Sequence, residues 1–232
     1  MDRRKFTWTA LAGAGWGCAG PLPAWALSLA DLTDADATAG LRAALERGAV
    51  TAVNLLGRTD GFLGNPKVRI PLPGYLQDAA GILRTFGLSK RLDQLETSMN
   101  RAAEAAVPQA RALLVDAVKS MSVADAKQIL RGGDTSVTEF FSRMTREPLG
   151  EKFLPVVTRT TQKVGLARQY NDVVDRAGRY GIVDAQSSRI EPYVTAKALD
   201  GLFFMIGEEE RKIRRDPVGT GSAILRKVFG AL

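Results

Sequence analysis

The chain has 232 residues, 45% of them apolar and 25% charged, with a formal net charge of +7. That balance suits one packed domain or two small ones and excludes disordered, collagen-like and multi-span membrane chains. Histidine is absent and Cys18 is the single cysteine, which removes serine–histidine and cysteine–histidine nucleophile systems and histidine-ligated zinc, copper and haem.

Residues 1–26 read as a cleaved export signal. Arg3, Arg4 and Lys5 precede a Gly/Ala-rich apolar run from Phe6 to Gly20, and Ala24-Trp25-Ala26 supplies a cleavage site before Leu27. The arginine pair resembles a twin-arginine signal, with Asp2 where Ser or Thr is usual. At about 15 apolar or small residues the run is short for a membrane anchor. Gly15-Trp16-Gly17 lacks the leucine that a lipoprotein signal prefers ahead of its cysteine, so simple cleavage is favoured over a lipid on Cys18. Cleavage leaves residues 27–232 as one helical domain in the periplasm, with a charge of +5 and no cysteine or tryptophan. Disulfides, thiolate catalysis and iron–sulfur clusters then disappear together.

The mature chain is expected to be all-α, a bundle-like set of helices, because apolar residues recur at three and four rather than at two. The first helix begins near Thr33 or Asp34, carries Leu41, Leu45, Ala52, Leu55 and Leu56 on one stripe, and ends at Gly57. The proline- and glycine-rich stretch 60–74 breaks the pattern. Within it Val68, Ile70 and Leu72 alternate with Lys67, Arg69 and Pro71, which predicts an edge strand or an extended strap near 67–72. Prolines 71 and 73 cannot donate to a ladder and favour the strap.

A helix from Leu76 to Thr85 follows, and then two stripes, Leu92 to Ala106 and Leu113 to Met121, parted by Pro108. That proline predicts a kink or a meeting of two helices near Val107. Ser122 to Asp125 reads as a capped start and Gly132-Gly133 as the end of that helix. The next helix starts at Ser136 with Glu139, is expected to bury Phe140, Phe141 and Met144, and to close at Pro148. Phe153, Leu154, Val157, Val164 and Leu166 continue the pattern, with Tyr170, Val173, Val174 and Ala177 after them. A polar break at 184–189 precedes a last long helix from about Pro192 to Ile213, ended by Pro217. A short terminal helix at 222–229 presents Ile224, Leu225, Val228 and Phe229, a stripe expected to dock on the domain's own core rather than on a membrane.

Three constellations are candidate sites. Asn100 and Glu104, four apart on one helical face with Arg101 between them, could line a polar pocket beside the Pro108 kink; internal hydrogen bonding or an exposed polar face is the structural alternative. Gly132-Gly133-Asp134-Thr135 could cradle an anion, but Asp134 opposes one and the lysine of a phosphate loop is missing, so a helix connector is expected. Glu208, Glu209 and Glu210 could hold a hard cation or act as acid and base. The spacings Glu208 to Lys212 and Glu210 to Arg214 instead predict a solvated, ion-paired helix face, with Asp200 too far upstream to complete a site alone.

Several segments carry a resemblance. MNRAAEAAVPQA (99–110), DAKQILRGGDTSVTEFF (125–141), EKFLPVV (151–157), YVTAKALDGLFFMIGEEERKIRRDP (193–217), TDGFLGNPKVRIPLP (59–73) and ILRKVFG (224–230) look like the bacterial family catalogued as domain of unknown function 4197. The resemblance implies an exported, helix-rich envelope protein and carries over no catalytic residues.

With no catalytic, cofactor or metal residue to name, the expected function is a non-catalytic periplasmic protein binding an apolar ligand, a lipid or a protein partner. The alternative is a carboxylate-based envelope hydrolase. Nucleic-acid binding is not expected, because the +5 charge is spread among acidic residues, and membrane association after cleavage is expected to be weak or absent.

Overall fold

The computed structural model describes residues 34–85, 87, 89–133, 135–163, 165–179 and 188–216. The expected export signal at 1–26, most of the polar break and the expected terminal helix at 222–229 lie outside them. Eight α-helices and no strand are found among the described residues.

Helix α1 spans Asp34–Leu56 and buries Leu41, Leu45, Ala52 and Leu56, with Leu55 half-buried. The strap follows, and α2 covers Gly74–Thr85. Helix α3 runs over Ser89–Ala106 and gives way to a 3₁₀ turn, Val107–Gln109, before α4 at Ala110–Lys119. Pro108 sits in that turn, since it cannot donate to the carbonyl four residues back and a tighter turn avoids the clash. Helix α5, Val123–Arg131, opens with a reciprocal cap: Ser122 Oγ accepts from Asp125 N at 3.1 Å and Asp125 Oδ2 accepts from Ser122 N at 3.1 Å.

Helix α6 spans Ser136–Thr161 and passes through both Pro148 and Pro155, so the expected stop at Pro148 is corrected. The two prolines are seven residues apart and share a face with Met144 and Glu151, both exposed. The carbonyls that lose a partner are those four residues earlier, Met144 and Glu151, on the side where water can take over. The same geometry corrects a core assignment: Met144 is 45% exposed and Leu154 40%, while Phe140, Phe141, Phe153 and Val157 are buried.

Helix α7 covers Gly165–Arg179 and α8 covers Ile190–Arg215. Asn171 on α7 starts α8: its Oδ1 accepts from Ile190 N at 3.0 Å, and its Nδ2 donates to the Glu191 carboxylate at 2.9 and 3.0 Å. Pro192 lies in the first turn, where its missing N–H costs nothing. Helices α6 and α8 pack along each other, with α1 against α8 and α3 against α6. One contiguous apolar cluster runs from Leu41 to Ile206 through these helices and the strap.

Candidate site: a groove between the strap and α8

The strap, residues 57–73, lies along the C-terminal half of α3 and along α8 from Tyr193 to Glu208 without forming a strand. Val68, Ile70 and Leu72 are buried and Lys67, Arg69 and Pro71 face outward, as the alternation predicts. Its outward row and one edge of α8 enclose a groove of about 300 Å³.

The strap is held at fixed points, and the first are the sequence-derived residues Asn100, Arg101 and Glu104. Asn100, fully buried, accepts from Ile70 N at 2.9 Å through Oδ1 and donates through Nδ2 to the carbonyls of Ile70 at 2.9 Å and Glu96 at 2.8 Å. Glu104 is buried, and its Oε1 accepts from Phe62 N at 3.1 Å and Leu63 N at 3.2 Å. Its Oε2 accepts from Arg101 Nη1 at 2.6 Å, and Arg101 Nη2 reaches Asp60 Oδ1 at 2.7 Å. The three side chains do come together, and what they bind is the strap. Their polar atoms substitute for the ladder bonds that an extended segment would otherwise lack.

On the α8 side, Gly201 lets the strap approach. A Cβ there would lie 2.7 Å from the Phe62 ring and 3.3 Å from Val68 Cβ, so only glycine fits under the crossing. Tyr193 donates from its hydroxyl to Pro71 O at 3.1 Å, and burial raises its pKa. Asp60 carries the turn into the strap at φ 63°, the left-handed region that Asp tolerates better than most residues.

The groove is cationic and has one apolar wall. Lys67, Arg69, Lys197 and Asp200 line it, with Phe204 at one end. Lys67 Nζ is bound to Glu208 Oε2 at 2.6 Å, Arg69 Nε to Glu96 Oε1 at 2.8 Å, and Asp200 Oδ1 to Arg146 Nη2 at 2.6 Å. Among the described residues Lys197 has no carboxylate within ion-pair distance. The Phe204 ring is 39% exposed, with the Arg211 guanidinium 6.0 Å from its centroid. Sequence reasoning passed over Lys197 and Phe204. The Phe203-Phe204 pair carries no decisive local signal: neighbours on a helix point about 100° apart, and whether one or both rings are buried depends on the packing around the helix, which here buries Phe203 alone.

The acidic run at the end of α8 is ion-paired, in partly different pairs from those expected. Glu210 pairs with Arg214 as the spacing predicts, at 2.8 Å, whereas Lys212 holds Glu209 at 2.6 Å and Glu208 takes Lys67 and Arg211. Glu208 is held down to about 2 by hydrogen bonds from Lys67 and Arg211. Glu210 is not solvated. Burial pushes its pKa up against the pull of Arg214, and its Oε2 has no hydrogen-bond partner among the described residues. Beside it, Leu41, Leu45, Ala49, Ile206 and Ile213 enclose about 20 Å³, room for a single water rather than a ligand.

Gly132 ends α5 by donating to Gln128 O at 2.9 Å, and Gly133 O accepts from Ser136 N at 3.1 Å. These bonds make the glycine pair a connector between α5 and α6. No group of three or more metal-ligating side chains occurs among the described residues, and no described helix is long and apolar enough to cross a membrane.

Residues 31–230 match the model of a family described as a protein of unknown function (DUF4197). The chain belongs to that family. No curated protein and no solved structure matches it. Two of the segments that resemble DUF4197 are the strap, 59–73, and the α8 segment, 193–217, and the groove is where those two segments face each other.

Proposed function

We propose that this DUF4197 protein is a non-catalytic binding protein of the cell envelope, and that the groove between the strap and α8 is where it takes an apolar ligand. The carrying observation is the exposed Phe204 ring at the end of a 300 Å³ groove whose opposite wall is pinned by buried hydrogen bonds. Small-molecule sites are concave, largely pre-formed and mostly apolar with a few placed polar groups, and 300 Å³ is at the small end of their range. The export reading of residues 1–26 supports the envelope location.

A carboxylate hydrolase is the weaker reading. The acidic groups that could serve it, Glu104, Asp200, Glu208, Glu209 and Glu210, are each bound to an arginine or lysine. A pair of glycosidase acids needs one carboxyl free to take up and release a proton.

The test uses a neutral probe, N-phenyl-1-naphthylamine, whose fluorescence rises when it leaves water. The mature protein is expected to enhance it saturably, and Phe204→Ser to weaken that binding about tenfold by removing the ring. No enhancement, or enhancement unchanged in Phe204→Ser, would overturn the assignment.

A further inference from the structure

Lys197 and Phe204 are seven residues apart on α8 and line the same groove. Seven residues are two turns, so the cation and the ring lie on one face about 10 Å apart along the axis. The other groove cations are already matched, Lys67 by Glu208 and Arg69 by Glu96, and the groove's single carboxylate, Asp200, is matched by Arg146. One positive charge remains at one end and an apolar surface at the other.

From this we infer that the ligand is a single-chain amphiphile with a monoanionic head, of the fatty-acid class, its carboxylate at Lys197 and its hydrocarbon along Gly201 toward Phe204. The inference rests on the binding reading above and names its ligand. A cationic head meets Lys67, Arg69 and Lys197 with only a bridged aspartate in return. A dianionic phosphate needs a second free cation, which the groove supplies only by breaking a bridge of 2.6 or 2.8 Å. A monocarboxylate matches the one unpaired charge. The hydrocarbon is complementary to what lies between: the small Gly201 floor, the Val68 wall and the exposed Phe204 ring.

The test compares decanoate and decylammonium, each below its micelle concentration, and decanol, below its solubility limit, as displacers of N-phenyl-1-naphthylamine from the mature protein. Decanoate is expected to bind about fivefold tighter than decanol, and decylammonium weaker than either. Lys197→Gln should bring decanoate to the level of decanol while leaving decanol unchanged, and 1 M salt should narrow the same gap in the parent protein. Phe204→Ser should weaken all three. Both side chains are exposed, and an unchanged thermal melt establishes that each variant is folded.

If decanol displaces the probe as well as decanoate does, or if Lys197→Gln keeps the preference, the anionic-head proposal is wrong while the apolar-ligand reading stands. If none of the three binds, both fail. Lysine-dependent sedimentation with phosphatidylglycerol vesicles in the absence of decanoate binding would overturn the single-ligand proposal in favour of a membrane surface.

Discussion

Asn100 grips both backbone polar groups of Ile70, its Oδ1 and Nδ2 each 2.9 Å from the amide nitrogen and carbonyl oxygen respectively. An amide side chain can hold an N–H and a C=O of one residue at once, as a neighbouring strand would. The strap therefore lies flat on α3 without a sheet, and the groove has a firm wall.

Asn100→Leu leaves the amide and carbonyl of Ile70 buried without partners. The expected loss is about 3 kcal/mol, a fall of about 6–12 °C in melting temperature for a domain of this size. Asn100→Asp is a sharper probe. Its second carboxylate oxygen would face the carbonyls of Ile70 and Glu96, so its folded-state pKa would be raised. Its deficit relative to the parent should shrink as pH falls and the new acid protonates. A deficit constant with pH would contradict this geometry.

Glu104 and Arg101 should differ in weight. Glu104→Ala strips two strap amides, those of Phe62 and Leu63, of their acceptor, and about 2 kcal/mol of destabilisation is expected. Arg101, with its side chain 35% exposed, makes bridges that are partly screened, so Arg101→Ala should cost about 1 kcal/mol or less. Urea denaturation of the two variants checks the order.

Gly201→Ala places a methyl group 2.7 Å from the Phe62 ring, and overpacking of this kind costs about 1–3 kcal/mol. Phe62→Leu should also destabilise, by leaving a cavity. If the crossing is the cause, the double variant is more stable than the sum of the singles predicts, because the smaller side chain admits the methyl. Additive effects would show that the two positions do not meet.

The acid limb of stability should contain Glu208. Its folded pKa lies at about 2, below the ordinary value of 4.5. Its contribution is therefore fully present above the unfolded value and is lost as pH falls from there through about 2. Asp125, lowered by its hydrogen bonds from Ser122, acts in the same direction. Glu208→Gln should flatten the decline between pH 5 and pH 2 in denaturation midpoints, and an identical slope would contradict it.

Much of the fold is legible from periodicity and breakers. The stripe of α1, the Pro108 break, the Ser122–Asp125 cap and the alternation of Val68, Ile70 and Leu72 are all local signals, written within a few residues of the structure they produce. Pro148 was misleading because a proline ends a helix only where the lost bond cannot be replaced, and that depends on which face of α6 meets solvent. Met144 failed for a related reason: it follows Phe140 by four, but the buried face of α6 takes in Phe141 and Thr145 instead. The aromatic pairs make the same point. Phe140 and Phe141 are both buried, whereas Phe204 is exposed beside a buried Phe203, and only the packing around each helix distinguishes them.

The site divides in the same way. That Asn100 and Glu104 share a helix face follows from their spacing of four. Their partners and that of Arg101, namely Ile70, Phe62 and Asp60, lie 30 to 42 residues back along the chain, and nothing local points to them. The groove is more remote still, since Lys67 and Glu208 are 141 residues apart.

Amide chemical-shift mapping of residues 27–232 titrated with decanoate tests the central claim most directly. The account predicts saturable shifts centred on residues 67–70 and 197–204, with little change at Gly48, Ile206 and Ile213 beside Glu210. Shifts centred on that second region, or none at saturating decanoate, would contradict it.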